Sequence, residues 1–342
     1  MKRNPQNILI IRLSSIGDII LSFPLIRELN NKYPDSNIDY LLGKKYKPLL
    51  RPISKYINNI YGFDKADDLC EIKRYRQMIR ATNYDWVLDL HNKLRSRLLT
   101  TFIGTKVRRI KKYQLKRWLY IKLGLKIYPE VPVYEKYMST APIDIDFNED
   151  WYLHDCKQDK IKAKINKDIP FFENDARVVV IFPGARHYTK RWPLTKYYQL
   201  VERIKRQTDY KIIIAGDEKD ARVLQQKNFC SEDIINVSGK YNLLETMCLV
   251  SLCELVISND SGPMHMGALF HKSQIAIFGN TVTQFGFAPL NDKAILIENN
   301  ELNCRPCSHI GYESCPKDHF KCMRGISVDE VFIAFKKLTG NL

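Results

Sequence analysis

The stretch NILIIRLSSIGD, residues 7–18, passes from a short apolar run into two serines, a glycine and an acid. Such an unalternated run suits a strand buried on both faces of a parallel sheet. Gly17 permits a tight turn, and Asp18 falls at the start of a helix running to Lys32. The pattern recurs. NIDYLLG (37–43), NNIYGFD (58–64) and YDWVLDLH (84–91) follow, with a basic helical segment around Arg74–Arg80. Between residues 128 and 175 the alternation dissolves into a polar, Pro- and Asp-containing connection. It resumes with RVVVIFPG (177–184), KIIIAG (211–216), IINVSG (234–239), LVISND (255–260) and SQIAIFG (273–279), separated by helical stretches. The expectation is an α/β protein of two doubly wound domains, 1–170 and 171–325, with a cleft at the carboxyl ends of their strands. The last stretch, 326–342, reads as an amphipathic helix with Val328, Val331, Phe332 and Phe335 on one face. Ser327 and Glu330 form its capping box, and it is expected to pack back toward the first domain.

A chain of 342 residues is long for one core and fits two domains. No apolar run reaches the ~18–20 residues needed to span a bilayer. The basic N-terminus has only a short apolar part and no small-residue cleavage site, so a cytoplasmic protein is expected. The net charge of +16 is uneven. Residues 1–170 carry 33 Lys+Arg against 19 Asp+Glu, and residues 171–342 carry 21 against 19. The first half therefore suits an anionic partner: nucleic acid, a membrane surface or a phosphorylated substrate.

Each motif has two readings. Asp18 is either a first-turn acid favoured by the helix dipole or a proton acceptor, since a carboxylate would repel a phosphate there. FPGARHYTKRWP (182–193) leaves a strand at Gly184 and presents Arg186, His187, Lys190 and Arg191, as a solvated loop or a diphosphate clamp. ISNDSGPMHMGAL (257–269) carries Asp260, Ser261, Gly262, Pro263 and His265 into a small-residue helix, whose start can be capped, bind an anion, or both.

Nine cysteines are present. Cys70, Cys156, Cys230, Cys248 and Cys253 read as small buried residues. Cys304, Cys307, Cys315 and Cys322 follow C-x2-C-x7-C-x6-C, either a structural zinc site or a loop of packed thiols. Residues 90–129 lack Asp and Glu but hold a dozen Lys and Arg with Trp118, Leu119 and Tyr120 among them. A basic, apolar-interleaved segment can bind lipid headgroups, a phosphorylated saccharide or nucleic acid. The DID of Asp144–Asp146 is too short a match to a metal-binding DxD to carry weight.

Taken in order, ILIIRLSSIGDIILSFPLIRELNNKYP, FPGARHYTKRWPLTKYYQLVERI, AGDEKDARV, ISNDSGPMHMGALF and the cysteine-rich tail resemble glycosyltransferase family 9, the bacterial heptosyltransferases of lipopolysaccharide core synthesis. The resemblance covers nearly the whole chain. It implies a GT-B fold, two Rossmann-like domains facing a central cleft, and inverting transfer from ADP-heptose to an anionic Kdo/heptose acceptor without a required cofactor or catalytic metal. Asp18 matches the family's general base and Lys190 its diphosphate-stabilising lysine. The donor-binding set becomes Ser14, Ser15, Gly17, Gly184, Asp217 (Glu218 being the competing alignment), Asp260, Ser261, Gly262, Pro263 and His265. Arg95, Arg97, Lys112, Lys116 and Arg117 are then assigned to the acceptor, and the enzyme to the cytoplasm with peripheral contact at the inner membrane. Nucleic acid is not expected as a partner. The competing readings are another nucleotide-sugar transferase, a nucleotide-sugar epimerase, and a basic zinc- or nucleic-acid-binding protein.

Overall fold

Both apolar-run series become parallel sheets. The computed structural model describes residues 4–64, 66, 68–142, 147, 149–174, 176–224 and 231–340. The chain divides into two units, Met1–Tyr113 with Val131–Trp151, and Gln114–Glu130 with Tyr152–Leu342.

In the first unit, β1 (Asn7–Ile11), β2 (Asn37–Gly43), β3 (Asn59–Phe63), β4 (Trp86–Asp89) and β5 (Val107–Arg109) lie in the order β3-β2-β1-β4-β5. All neighbours are parallel, with Ile8 opposite Ile38 on one side and Trp86 on the other. Ile8 to Ile11 have no exposed surface, as a strand covered on both faces requires. Leu9, Ile11 and Val87 pack with Tyr75 and Ile79 of the helix Asp68–Thr82 and with Leu99.

The second unit holds β6 (Val178–Phe182), β7 (Lys211–Ile214), β8 (Ile234–Asn236), β9 (Leu255–Asn259), β10 (Ser273–Phe278) and β11 (Ala294–Glu298). Their order is β11-β10-β9-β6-β7-β8, again parallel throughout. The final helix, Val328–Thr339, starts with the expected capping box: Ser327 N donates to Glu330 Oε2 at 2.6 Å, and Glu330 N to Ser327 Oγ at 3.1 Å. Val331, Phe332 and Phe335 join Leu200 and Ile204 of the helix Leu194–Gln207 and Ile275 and Ile277 of β10 in one core. That apolar face is therefore spent inside the second unit.

The division near residue 170 falls instead at 151–152. Residues 152–170 belong to the second unit because Ile165 and Ile169 have no exposed surface and the helix Asp159–Asp168 packs on the helix Leu243–Leu252. Leu153 N also donates to Leu269 O at 2.7 Å. Cys156 and Cys248, read from the sequence as separate buried residues, are joined by a disulfide at this contact. Asp144–Asp146 and Cys230 lie outside the described residues.

Ile165→Ala tests whether the connection is core. Removing a fully buried isoleucine should cost about 2–5 kcal/mol of stability in urea unfolding; a change within ~0.5 kcal/mol would make the segment a surface linker.

Candidate active site

In a doubly wound sheet, successive crossovers leave a crevice at the carboxyl edge where the strand order reverses. In the first unit that point lies between β1 and β4, and the chain leaving β1 carries Arg12 to Asp18 across it. Arg12 is 8% exposed and spans the crevice. Its Nη1 donates to Leu90 O at 2.5 Å, just past β4, and its Nη2 pairs with Asp18 Oδ1 at 2.5 Å. Asp18 stands third in the short helix Ile16–Ile20, where Oδ2 accepts from Ser15 N (3.0 Å) and Ser15 Oγ (2.7 Å). Tyr137 OH donates to Oδ1 at 3.3 Å, with its ring under the Arg12 guanidinium at 5.7 Å. Burial alone would raise this carboxyl. The Arg12 charge and the Ser15 and Arg12 hydrogen bonds outweigh it and hold Asp18 at about 2.

The rest of this edge is cationic. His91 is 6% exposed and is pushed down to about 3 by burial, then by Arg12, Lys93 and Lys112. Lys112 Nζ donates to His91 O (2.5 Å) and Asn92 O (2.9 Å), and burial followed by Arg12 and Lys93 lowers it to about 8. The edge therefore combines a neutral imidazole, a paired carboxylate and excess positive charge. A surface hollow lined by Asn4–Gln6 and Lys32–Ser36 opens at the opposite, amino edge of β1 and β2.

The second unit reverses order between β6 and β9, which brings together the loops singled out in the sequence. Asn259, with no exposed surface, closes the gap. Its Nδ2 donates to Pro183 O (2.8 Å), and its Oδ1 accepts from Trp192 N (3.0 Å) and Tyr197 OH (3.1 Å). Lys190 Nζ then meets Asp260 Oδ2 at 2.6 Å, and Thr281 Oγ1 donates to the same oxygen at 2.6 Å. Burial would raise the Asp260 carboxyl, but Lys190 and these hydrogen bonds lower it. Asp260 is thus committed to Lys190. Ser261 Oγ donates back to Asn259 O (3.2 Å), and the helix Gly262–Leu269 has no side-chain cap. Capping alone does not account for the DSG turn. His265 is buried in the first turn of that helix.

Gly184 lies at the same edge, where a Cβ would collide with the Asp220 carboxylate. Asp217 caps the helix Glu218–Leu224, accepting from Lys219 N (2.8 Å) and Asp220 N (3.0 Å), while Glu218 is exposed. Asp220 is the acid that reaches the β6 loop. The cysteine-rich tail buttresses the lysine loop from behind: Thr189 N donates to Tyr312 O (3.1 Å) and Tyr312 N to Thr189 Oγ1 (2.8 Å). Arg305 fixes the loop carrying Thr281 by donating to Gly279 O (2.5 Å) and Thr281 O (2.8 Å).

Burial followed by neighbouring thiols pushes the Cys322 thiol up to about 11, and Cys307 also rises. Cys304 Sγ lies 3.8 Å from His319 Nε2. Among the described residues no three His, Cys, Asp or Glu side chains are placed to hold a metal ion.

The five basic residues assigned to an acceptor divide between the units. Arg95 and Arg97 lie on the helix Leu94–Leu99, with Arg97 Nε donating to Asn92 Oδ1 at 3.0 Å, and Lys112 flanks the same turn. Lys116 and Arg117 belong to the helix Gln114–Leu123 of the second unit. Arg12, Tyr137, Asn259, Thr281 and Arg305 were not singled out by sequence. Arg12 stood inside the quoted motif, but only the fold shows it facing inward.

Residues 72–316, well over half of the chain, match the family described as "Glycosyltransferase family 9 (heptosyltransferase)". The chain is 28% identical over 327 residues to lipooligosaccharide heptosyltransferase 2 of Haemophilus influenzae, covering 85% of this chain and 88% of that one. It is 27% identical over 281 residues to lipopolysaccharide heptosyltransferase 3 of Escherichia coli, covering 78% and 80%. The solved structure of the E. coli ADP-heptose lps heptosyltransferase II superposes with a TM-score of 0.74 at 22% identity, over 97% of this chain and 98% of that one. At that identity the likeness is one of fold, the GT-B arrangement of two parallel α/β sheets.

The Asp18 pairing has a pH signature. Its folded value lies below the ordinary 3.8, so the unfolded chain takes up the proton first as pH falls. The stabilisation is complete above pH ~4 and is lost toward pH ~2. In urea unfolding the gap between the wild type and Asp18→Asn should narrow by about 2 kcal/mol over that range. A pH-independent gap would show that the ion pair does not depress the acid.

Proposed function

The chain belongs to glycosyltransferase family 9, and from that premise we propose that it is a heptosyltransferase of lipopolysaccharide core synthesis, moving heptose from ADP-heptose to an anionic Kdo or heptose acceptor with inversion. The observation that carries the reading is the pairing of Lys190 with Asp260 beside an uncapped helix start. A lysine ammonium has three N–H donors. Asp260 takes one and fixes the group in place, leaving two for diphosphate oxygens. The amides opening the helix Gly262–Leu269 supply further positive potential, with His265 in its first turn. These groups stabilise the charge that grows on the departing ADP, which is electrostatic catalysis without reorganisation. Gly184, by lacking a side chain, leaves room for the Asp220 carboxylate beside the β6 loop.

Asp18 is the acceptor-side base in this reading, with Ser14, Ser15 and Gly17 shaping its turn. At about 2 its carboxyl is ionised at any working pH but is a weak base for a sugar hydroxyl. Proton transfer therefore comes late, once the sugar–phosphate bond is largely broken and the hydroxyl has become acidic. Arg12 and Tyr137 orient the acid, and the cationic edge formed by Lys93 and Lys112 beside the neutral His91 favours a negatively charged acceptor. Such an acceptor is borne on lipid, which brings the enzyme to a membrane surface.

Release of ADP from ADP-heptose should depend on added de-acylated Kdo-lipid A acceptor. Asp18→Asn should lower turnover ~10²–10⁴-fold while retaining donor binding; near-normal turnover would remove Asp18 from the role of base. Lys190→Ala should weaken ADP binding and lower turnover together. Activity should persist in chelator, because Lys190 and the helix amides provide the countercharge; dependence on magnesium would contradict this.

A further inference from the structure

Residues 114–127 present apolar surface that the fold does not use. No residue of the helix Gln114–Leu123 is fully buried, only Arg117, Leu119, Tyr120 and Ile121 are partly covered, and a ten-residue helix with so little packing is marginal in water. On its inner side, Tyr120 and Tyr128 each set a ring edge-on to Phe285 of the second unit, at 5.9 and 5.5 Å. The other side projects outward. Leu115, Trp118 and Leu123 are 70%, 53% and 60% exposed, and Leu125 and Ile127 continue the surface at close to half exposure. Lys122 and Lys126 are exposed among them, and there is no acid from residue 90 to 129.

From this surface we infer that residues 114–127 dock the protein on an anionic phospholipid bilayer, with Leu115, Trp118, Leu123, Leu125 and Ile127 entering the headgroup–acyl boundary and Lys122 and Lys126 meeting the lipid charges. Three features select a membrane over a protein. The charge is of one sign, so a second copy of the same face would be repelled. Lysine stems lie along apolar surface and carry the ammonium to an interface. A half-exposed tryptophan suits the amphipathic layer of a bilayer. Among the described residues no helix is long and apolar enough to cross a membrane, so the attachment is to one leaflet. The inference extends the reading of a lipid-borne acceptor, yet lipid binding needs neither donor nor acceptor and is measured without them.

The test is flotation of the full chain with phosphatidylcholine vesicles, with and without phosphatidylglycerol, together with quenching of tryptophan emission by brominated lipids. Trp151 and Trp192 are buried and Trp86 half-buried, so lipid quenching reports chiefly on Trp118. The expected result is flotation only with the anionic vesicles and quenching that Trp118→Phe abolishes without loss of flotation. Lys122→Gln with Lys126→Gln should lower partitioning about 30-fold at low salt. Leu123→Ser with Leu125→Ser should lower it at every salt concentration, while both pairs still turn over the de-acylated acceptor. Equal flotation with neutral vesicles, flotation with Trp118 unquenched, or a lipid-free oligomer that buries Trp118 would each overturn the proposal. Loss of acceptor-dependent ADP release with intact lipid binding would instead strike at the transferase reading.

Discussion

At the carboxyl edge of each sheet, neighbouring crossovers leave in opposite directions, and one buried polar side chain must span the gap between them. In the first unit it is Arg12, joining the end of β1 to Leu90 O beyond β4. In the second it is Asn259, joining the end of β9 to Pro183 O beyond β6. Parallel sheets supply no hairpin to hold these loops, so the acid after β1 and the lysine loop after β6 take their positions from such links. Asp18 is placed through Arg12. Lys190 and Asp260 are placed through Asn259, which also anchors Trp192 N two residues past the lysine.

The two ion pairs work differently for the same physical reason. A buried pair must repay the desolvation of both charges, and removing one partner strands the other. The Arg12–Asp18 pair lowers the acid and so weakens it as a base, while keeping it charged and aimed. In the Lys190–Asp260 pair the cation is the useful member and the acid its holder. Loss of activity on substitution at Asp18 or Asp260 therefore mixes chemistry with the cost of an unpaired neighbour, which is why conservative variants and pH-resolved stability are more informative than alanine there.

Much of the candidate site was legible because each motif is local. A strand, a turn residue and a helix start lie within a dozen residues, so Asp18, Lys190 and the DSG turn could each be placed at a strand's carboxyl end. Asp217 illustrates the limit. An acid after β7 was expected, but whether it caps its own helix or faces the β6 loop depends on one helical turn, and there Asp217 caps while Asp220 faces the loop. The basic segment read as one feature, yet its halves fold into different units because Tyr120 and Tyr128 find Phe285, more than 150 residues away.

Residue order by itself determined the two α/β sheets, the turn chemistry after each central strand and the capping of the last helix, since period, glycine placement and caps act over a few residues. Only the tertiary structure decided that Arg12 holds Asp18, that Lys190 meets Asp260, that residues 152–170 belong to the second core, and that Tyr312 of the cysteine-rich tail backs the lysine loop. Those outcomes come from side chains far apart in the chain competing for the same buried partners, and that competition is resolved only once strand order brings them to a common edge.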